Sequence, residues 1–418
     1  MRTLSFLLPI LFLAPSVHSE GVGDWRGPSG LDRIRGVQTL LSSPSGLYTL
    51  GGPALRRLPP GKTRWEILHL AKGRNLYRIA VDDSGRVLAS WEGEKVFHLL
   101  TPRTKGHKTF PKPVRAQGQK GYYSLDGLYF SKDGACAIVT MQEEAGNQSW
   151  ILSAYRYRLD GKSGPEQLFR QAGYKLYVSG RAAVFAVPKD PKTPCNHNGC
   201  WPIASILAYE ITPTGVVKRT LLSGERDNLS SIRGVGSVGE EGLAFVVSEK
   251  PEARGLLTWR FGEAANYRGL SLGPTGDPER AWWTRTGELV EFWMKGAEFE
   301  EKLEVKRRLP GGGVRSVTLG PLPPGDPDVS PDPKIHSIRE RKNGDLLVHW
   351  GDYLVLLSAG KPPRHLNIEP MLGRMDEWAS ADIYAPAQES IWLGVEVGAG
   401  RDFVRLGLDE AEKRAEPF

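Results

Sequence analysis

Histidine is the side chain in this sequence best suited to move protons or hold a metal at neutral pH. His69, His98 and His349 lie inside the apolar runs EILHL, KVFHLL and LLVHW, where the expected role is a hydrogen-bonded core residue. His336 opens a strand-like run and is the histidine whose position could face a channel, the place where ring and barrel folds form ligand sites. Cys195 and Cys200 bracket Asn196-His197-Asn198-Gly199 in PKDPKTPCNHNGCWP. In an oxidising compartment this pair predicts a small loop-closing disulfide. As metal ligands, Cys195, His197 and Cys200 have no fourth partner nearby in sequence and lack zinc-ribbon spacing, so no metal is expected. Cys136, in ACAIVT, reads as a buried small hydrophobe.

Acidic residues give weaker patterns. In GDPDVSPDP, Asp326, Asp328, Ser330 and Asp332 alternate like the start of a calcium loop. Prolines interrupt it, however, and Ser337 stands where the bidentate glutamate belongs. A solvated linker is the expectation. Glu143-Glu144, Glu298 with Glu300 and Glu301, and Asp376-Glu377 fall in connections or at strand edges. Adjacent acids on a strand point to opposite faces, so such neighbours are not themselves a catalytic pair.

The segment from Arg103 to Lys120, RTKGHKTFPKPVRAQGQK, carries basic residues, no acid and one aromatic, Phe110. Arg103, Lys105, Lys108 and Lys112 are the candidate contacts for an anionic polymer at a rim; a solvated connection is the plainer alternative. Single-strand nucleic-acid platforms interleave several aromatics with such charges, so nucleic acid is not an expected partner. There is no G-x-S-x-G elbow with a following helix and no H-E-x-x-H. A prolyl-oligopeptidase-like hydrolase would also need an α/β domain for which the chain has no room. Gly234 to Gly239 matches G-x-G-x-x-G, but the next run, LAFVVSE, reads as a strand, not as the helix a dinucleotide site needs. No cofactor is expected.

These residues are set on a repeat. Gly46, Gly85, Gly134, Gly180, Gly242, Gly287 and Gly344 each follow a short strand-like run and open a more apolar one. The interval, about fifty residues, is that of stacked supersecondary units. SGRVLASW, TGELVEFW and NGDLLVHW place Trp91, Trp293 and Trp350 at one position after the glycine. In SGRVLASW, Val87, Ala89 and Trp91 share one face by the two-residue period, while Leu88 and Ser90 share the other. A strand greasy on both faces belongs in a sheet flanked by two others. The expected fold is all-β, a β-propeller of four-stranded antiparallel blades. First strands are expected near Val37, Leu76, Leu125, Tyr174, Ile232, Arg280, Ile335 and Trp378, which makes eight blades, or seven if the first unit is an accessory hairpin.

The opening MRTLSFLLPILFLAPSVHSEG reads as a secretory signal over residues 1–19, its apolar core too short for a permanent membrane span. Residues 20–418 then form one propeller domain, with residues from about 25 to 35 supplying the outer strand of the last blade. The 55 basic and 48 acidic side chains give a net charge of +7, which favours anionic partners.

FSKDGACAIVTM, from Phe130, resembles the turn and strand of TolB-type repeats, and IAVDDSGRVLASW, from Ile79, is similar to NHL and related repeats. This resemblance to exported bacterial propellers implies four-stranded sheets around a funnel with binding on one rim. The residues thus favour a secreted or periplasmic, monomeric, non-catalytic propeller that binds a protein or an anionic polysaccharide of the envelope or exterior. The alternative is a propeller enzyme, a lyase, glycosidase or lactonase, with its site in the funnel.

Overall fold

The glycine turns share one local chemistry. The amide of Gly85 donates to the carbonyl of Asp82 at 3.0 Å, and the amide of Asp82 donates to the carbonyl of Arg86 at 3.1 Å. Gly85 has φ +84°, the left-handed conformation that ends such a hairpin turn and that a side chain resists. The turns at Thr284–Glu288 and Arg341–Asp345 close through the same pair of bonds.

The computed structural model describes residues 25–26, 32–37, 39–50, 52–60, 62, 65–102, 106–114, 123–144, 150–190, 203–223, 231–236, 241–250, 253–270, 278–295, 302–320, 334–341, 343–351, 353–358, 360–368, 382–384, 390–397, 400–407 and 416–417. Strands β1 (Trp25–Arg26) and β2 (Asp32–Val37) precede a sheet of β3 (Thr39–Ser43), β4 (Gly46–Leu50), β5 (Ala54–Leu58) and β6 (Glu66–Leu70). The second sheet holds β7 (Leu76–Val81), β8 (Val87–Trp91), β9 (Val96–Thr101) and β10 (Gly106–Pro111). The third holds β11 (Tyr123–Phe130), β12 (Cys136–Glu144), β13 (Trp150–Arg158) and β14 (Glu166–Ala172). The fourth holds β15 (Tyr174–Val178), β16 (Ala182–Pro188), β17 (Ile203–Thr212) and β18 (Gly215–Ser223).

A longer sheet follows. It joins the meander β19 (Ser231–Gly236), β20 (Gly242–Lys250), β21 (Ala253–Arg260) and β22 (Asn266–Leu270) to β23 (Pro278–Trp283), β24 (Leu289–Lys295), β25 (Lys302–Arg308) and β26 (Val314–Leu319). The join is one parallel bridge, Gly236 with Ala281. Next come β27 (Ile335–Glu340), β28 (Leu346–Trp350), β29 (Tyr353–Leu357) and β30 (Arg364–Asn367). The last sheet holds β31 (Asp382–Tyr384), β32 (Ser390–Val397) and β33 (Gly400–Gly407), with β2 antiparallel to β33 and β1 beyond it. A short β34 (Glu416–Pro417) pairs with the outer edge of β30.

Among the described residues there are seven sheets and no helix, an all-β architecture consistent with a propeller of roughly seven blades. First strands meet first strands: β3 lies beside β7, β7 beside β11, β19 beside β23, β23 beside β27, and β27 beside β31, which returns to β3. First strands thus adjoin first strands around much of the ring that such a propeller would form.

The two faces of β8 supply different cores, following its two-residue period. Val87, Ala89 and Trp91 pack with Tyr48 and Leu55 of the first sheet, whereas Leu88 packs with Leu125, Leu128 and Val139 of the third. Strand β16 divides likewise, Ala183 and Phe185 toward the third sheet and Ala182, Val184 and Ala186 toward the fifth unit's Phe245 and Trp259. Trp91, Trp293 and Trp350 are all buried. Cys136 departs from expectation: it sits beside the turn at the start of β12 and is half-buried.

Candidate functional site: the inner strands and the face where they begin

Six first strands depart from regular pairing at one place. Register slips between Leu76 and Arg78, Leu125 and Gly127, Lys175 and Tyr177, Gly234 and Gly236, Pro278 and Arg280, and Ile335 and Ser337. The residue before each slip lies opposite a large side chain of the second strand: Trp91, Met141, Phe185, Phe245, Trp293 and Trp350. The repeated tryptophan thus marks a bulge. Bulges twist a strand and re-aim its side chains, and several of those re-aimed here are charged.

Arg78 Nε donates to the carbonyl of Asp126 at 2.8 Å, carrying a cation from the second sheet to the third. The Asp126 carboxylate accepts from Lys175 of the fourth sheet and from Thr140 Oγ1 at 3.2 Å. Farther round, Glu279 lies 3.4 Å from Arg233 and 3.1 Å from Arg280. Burial, with Asp126 and Tyr177 alongside, pushes the Tyr129 phenol above its ordinary range. Arg78, Lys175, Arg233, Arg280 and Arg339 outnumber Asp126, Glu279 and Glu340 on these strands. The inner surface they define is basic, and a concave surface of one sign concentrates ligands of the other.

The first strands start on the face where fourth strands end and second strands turn into third strands. On that face, between the second and third sheets, a cleft of about 810 Å³ is lined by Tyr77, Trp91, Val96, Pro111, Pro113, Val114, Tyr123, Leu125 and Met141, with Glu92, Glu94, Lys95 and Lys112 among its charged residues. Val114 is 87% exposed, so the cleft offers apolar surface directly to solvent. On the opposite face, a depression of about 620 Å³ spans the glycine turns, and its arginines are engaged in joining neighbouring turns. Arg86 bonds Asp82 and donates to the carbonyl of Gly134 at 2.6 Å; Arg181 lies 3.5 Å from Glu241 and over the Phe261 ring.

The residues expected to carry function fare unevenly. Arg103, Lys105, Cys195 and Cys200 lie outside the described residues, as do residues 1–19, the acids from Asp326 to Asp332, Glu298, Glu300, Asp376, Glu377 and Trp378. Lys108 donates to the carbonyl of Leu159 at 3.3 Å and Lys112 to that of Glu94 at 2.7 Å, so both are tied to the fold. Glu143 is buried against Arg170 while Glu144 is exposed, as neighbours on a strand should be. His98 and His349 are buried, and the His336 ring lies 4.6 Å from that of His349. The stretch from Gly234 leads into strand β20, with no helix among the described residues. Among those residues no cluster of three or more histidine, cysteine or acidic side chains fits a metal ion, and no helix is long and apolar enough to cross a membrane.

The sequence reading missed the basic inner strands. Their signal is a charge just after the first apolar residue of a unit, as in LYR, IRG and ERA, and it becomes meaningful only once the units are known to share an axis.

No family model matches the chain, and no curated protein matches it either. Among solved structures it is similar to one from a study of two prolyl endopeptidases, with 13% identity and a TM-score of 0.51, covering 82% of this chain and 49% of that one. It is also similar to dipeptidyl peptidase 4 of Porphyromonas gingivalis, with 10% identity and a TM-score of 0.51, covering 88% of this chain and 56% of that one. The chain thus spans about half the length of these proteins. At this identity the likeness concerns the fold alone, and it singles out neither TolB-type nor NHL repeats.

Proposed function

We propose that the chain is an exported, monomeric, non-catalytic β-propeller that binds an acidic protein or an anionic polysaccharide through the face where its first strands begin. The observation that carries this reading is the coincidence, on one face, of the basic bulges and the exposed apolar cleft. A non-catalytic role is supported by the state of the inner acids: Asp126 is engaged by Lys175 and Thr140, and Glu279 by Arg233 and Arg280. Export rests on the N-terminal signal-like stretch. We count eight blades, because the longer sheet is two four-stranded meanders held by a single bridge. In this reading β2 completes the last blade and closes the ring.

Retention on heparin and on polyglutamate beads tests the assignment. The wild type should bind and elute with salt, as ion-pairing surfaces do. Changing Lys175 and Arg233 to Ser should abolish retention, while changing Lys132, on the opposite face, to Ser should not. Equal retention by all three proteins would remove the inner strands from the binding site.

A further inference from the structure

Three imidazoles from two sheets meet beside the cleft. His69 comes from β6 of the first sheet, His98 from β9 and His107 from β10 of the second. Their ring centroids lie 5.6 Å apart for His69 and His98, 5.5 Å for His69 and His107, and 5.1 Å for His98 and His107. Trp91 forms the floor, 4.6 Å from His69 and 5.0 Å from His98. His98 is the central link: its Nε2 is 2.8 Å from Glu94 Oε2, and its Nδ1 is 2.8 Å from His107 Nε2. The other charged groups at hand are Arg74, 3.0 Å from Glu94 Oε1, and Lys112, which bonds the Glu94 carbonyl.

The chain from Glu94 through His98 to His107 tolerates only certain protonation states. With both rings neutral, His98 donates to Glu94 and accepts from His107. With one proton added to His98, it donates to both neighbours. Protonating His107 as well sets N–H against N–H across 2.8 Å, and that bond cannot exist. Glu94 holds His98, so the exposed His107 turns away, and β10 loses the side-chain bond that ties it to β9. Strand β10 runs on into Pro111, Lys112, Pro113 and Val114, which form a wall of the cleft.

We propose that His69, His98 and His107 form an acid-operated latch that holds this wall in place at neutral pH and releases it when the cluster takes up further protons. As regulation of binding, the proposal rests on the face reading given above; as a property of the fold, it does not. Burial and the neighbouring His98 hold His107 below the ordinary imidazole range, and burial, His98 and His107 outweigh Glu94 in doing the same to His69. The unfolded chain therefore binds more protons than the folded one as pH falls through about 6.5. Stability from this cluster is complete above that pH and declines below it.

Hydrogen exchange on the full-length, ligand-free protein, corrected for intrinsic rates, tests the latch. Between pH 7.5 and 5.5, protection of the β9–β10 bonds should fall severalfold in the wild type as the cluster takes up protons. Protection in β28–β29 should hold. His107→Gln, whose amide can still bond His98, should lose most of the pH response, and thermal melting should show the same contrast. A β10 response independent of pH, or one equal in wild type and variant, would overturn the proposal. So would stoichiometric Zn²⁺ binding that removes the response, which would make the cluster a metal site. Failure of heparin and polyglutamate binding alone would count against the face assignment and leave the latch standing.

Discussion

Where the first strand turns into the second, β7 passes to β8 and β27 to β28 through short glycine turns closed by their own hydrogen bonds. On the other face the described strands lie farther apart in sequence, from Pro111 to Tyr123, from Pro188 to Ile203 and from Leu319 to Ile335. Charges follow the same division. On the tight-turn face, Arg86 and Arg181 are spent on the turn of the next unit, and Glu340 accepts the Arg285 amide of the unit before at 3.0 Å and 3.1 Å. On the long-connection face, the inner-strand cations also reach the next unit, Arg78 and Lys175 to Asp126 and Arg233 to Glu279, and an apolar cleft stands open between the second and third sheets. Charges join neighbouring sheets on both faces; the difference is that the tight-turn face packs glycine backbone against the next sheet, whereas the other keeps an apolar cleft open beside longer connections that are free to vary.

The largest break in that contrast should come from Gly180→Ala. A β-carbon there would sit 2.0 Å from the carbonyl of Phe130 in the neighbouring sheet. Overpacking of this kind costs about 3 kcal/mol, and urea denaturation should register the loss. Gly344→Ala isolates the turn itself. Its φ is +86° with nothing within 4 Å of a new β-carbon, so only backbone strain remains, about 1 kcal/mol. Equal losses at the two sites would mean that the tight-turn face does not fasten sheets.

Glu340→Gln sharpens the comparison at smaller scale. Burial pushes the Glu340 carboxyl up, against hydrogen bonds from Arg285 and Trp282. A carboxyl raised in the folded state contributes stability at acid pH that is lost as pH rises through its folded pKa. Glutamine keeps an oxygen for the Arg285 amide and cannot ionise. The variant should therefore melt at or slightly above the wild-type temperature at pH 7, by no more than about 2 °C, and the gap should close near pH 4. A variant that melts well below the wild type at pH 7 would show that the charge itself is needed.

Local chemistry was legible in the sequence. Glycine after Ser or Asn announced the hairpins, and the alternation in SGRVLASW announced a strand with two buried faces, because both depend on residues a few places apart. What escaped depends on units brought together by the ring. Arg78, Lys175, Arg233 and Arg280 belong to four different repeats, and His69 meets His98 and His107 only across two sheets. The Arg103 to Lys120 run shows the converse case. It is dense in charge along the chain, yet Lys108 and Lys112 are consumed by nearby carbonyls.

The central claim is that the sheets form a closed circuit completed by the N-terminal strand, in which Ile34 lies opposite Phe403 across β2 and β33. The most direct measurement is the fraction of an Ile34→Cys/Phe403→Cys variant that forms an intramolecular 34–403 disulfide under mild oxidation, read by mass spectrometry of the folded monomer. The account predicts near-complete cross-linking and a raised Tm. A folded monomer with no 34–403 link would contradict it.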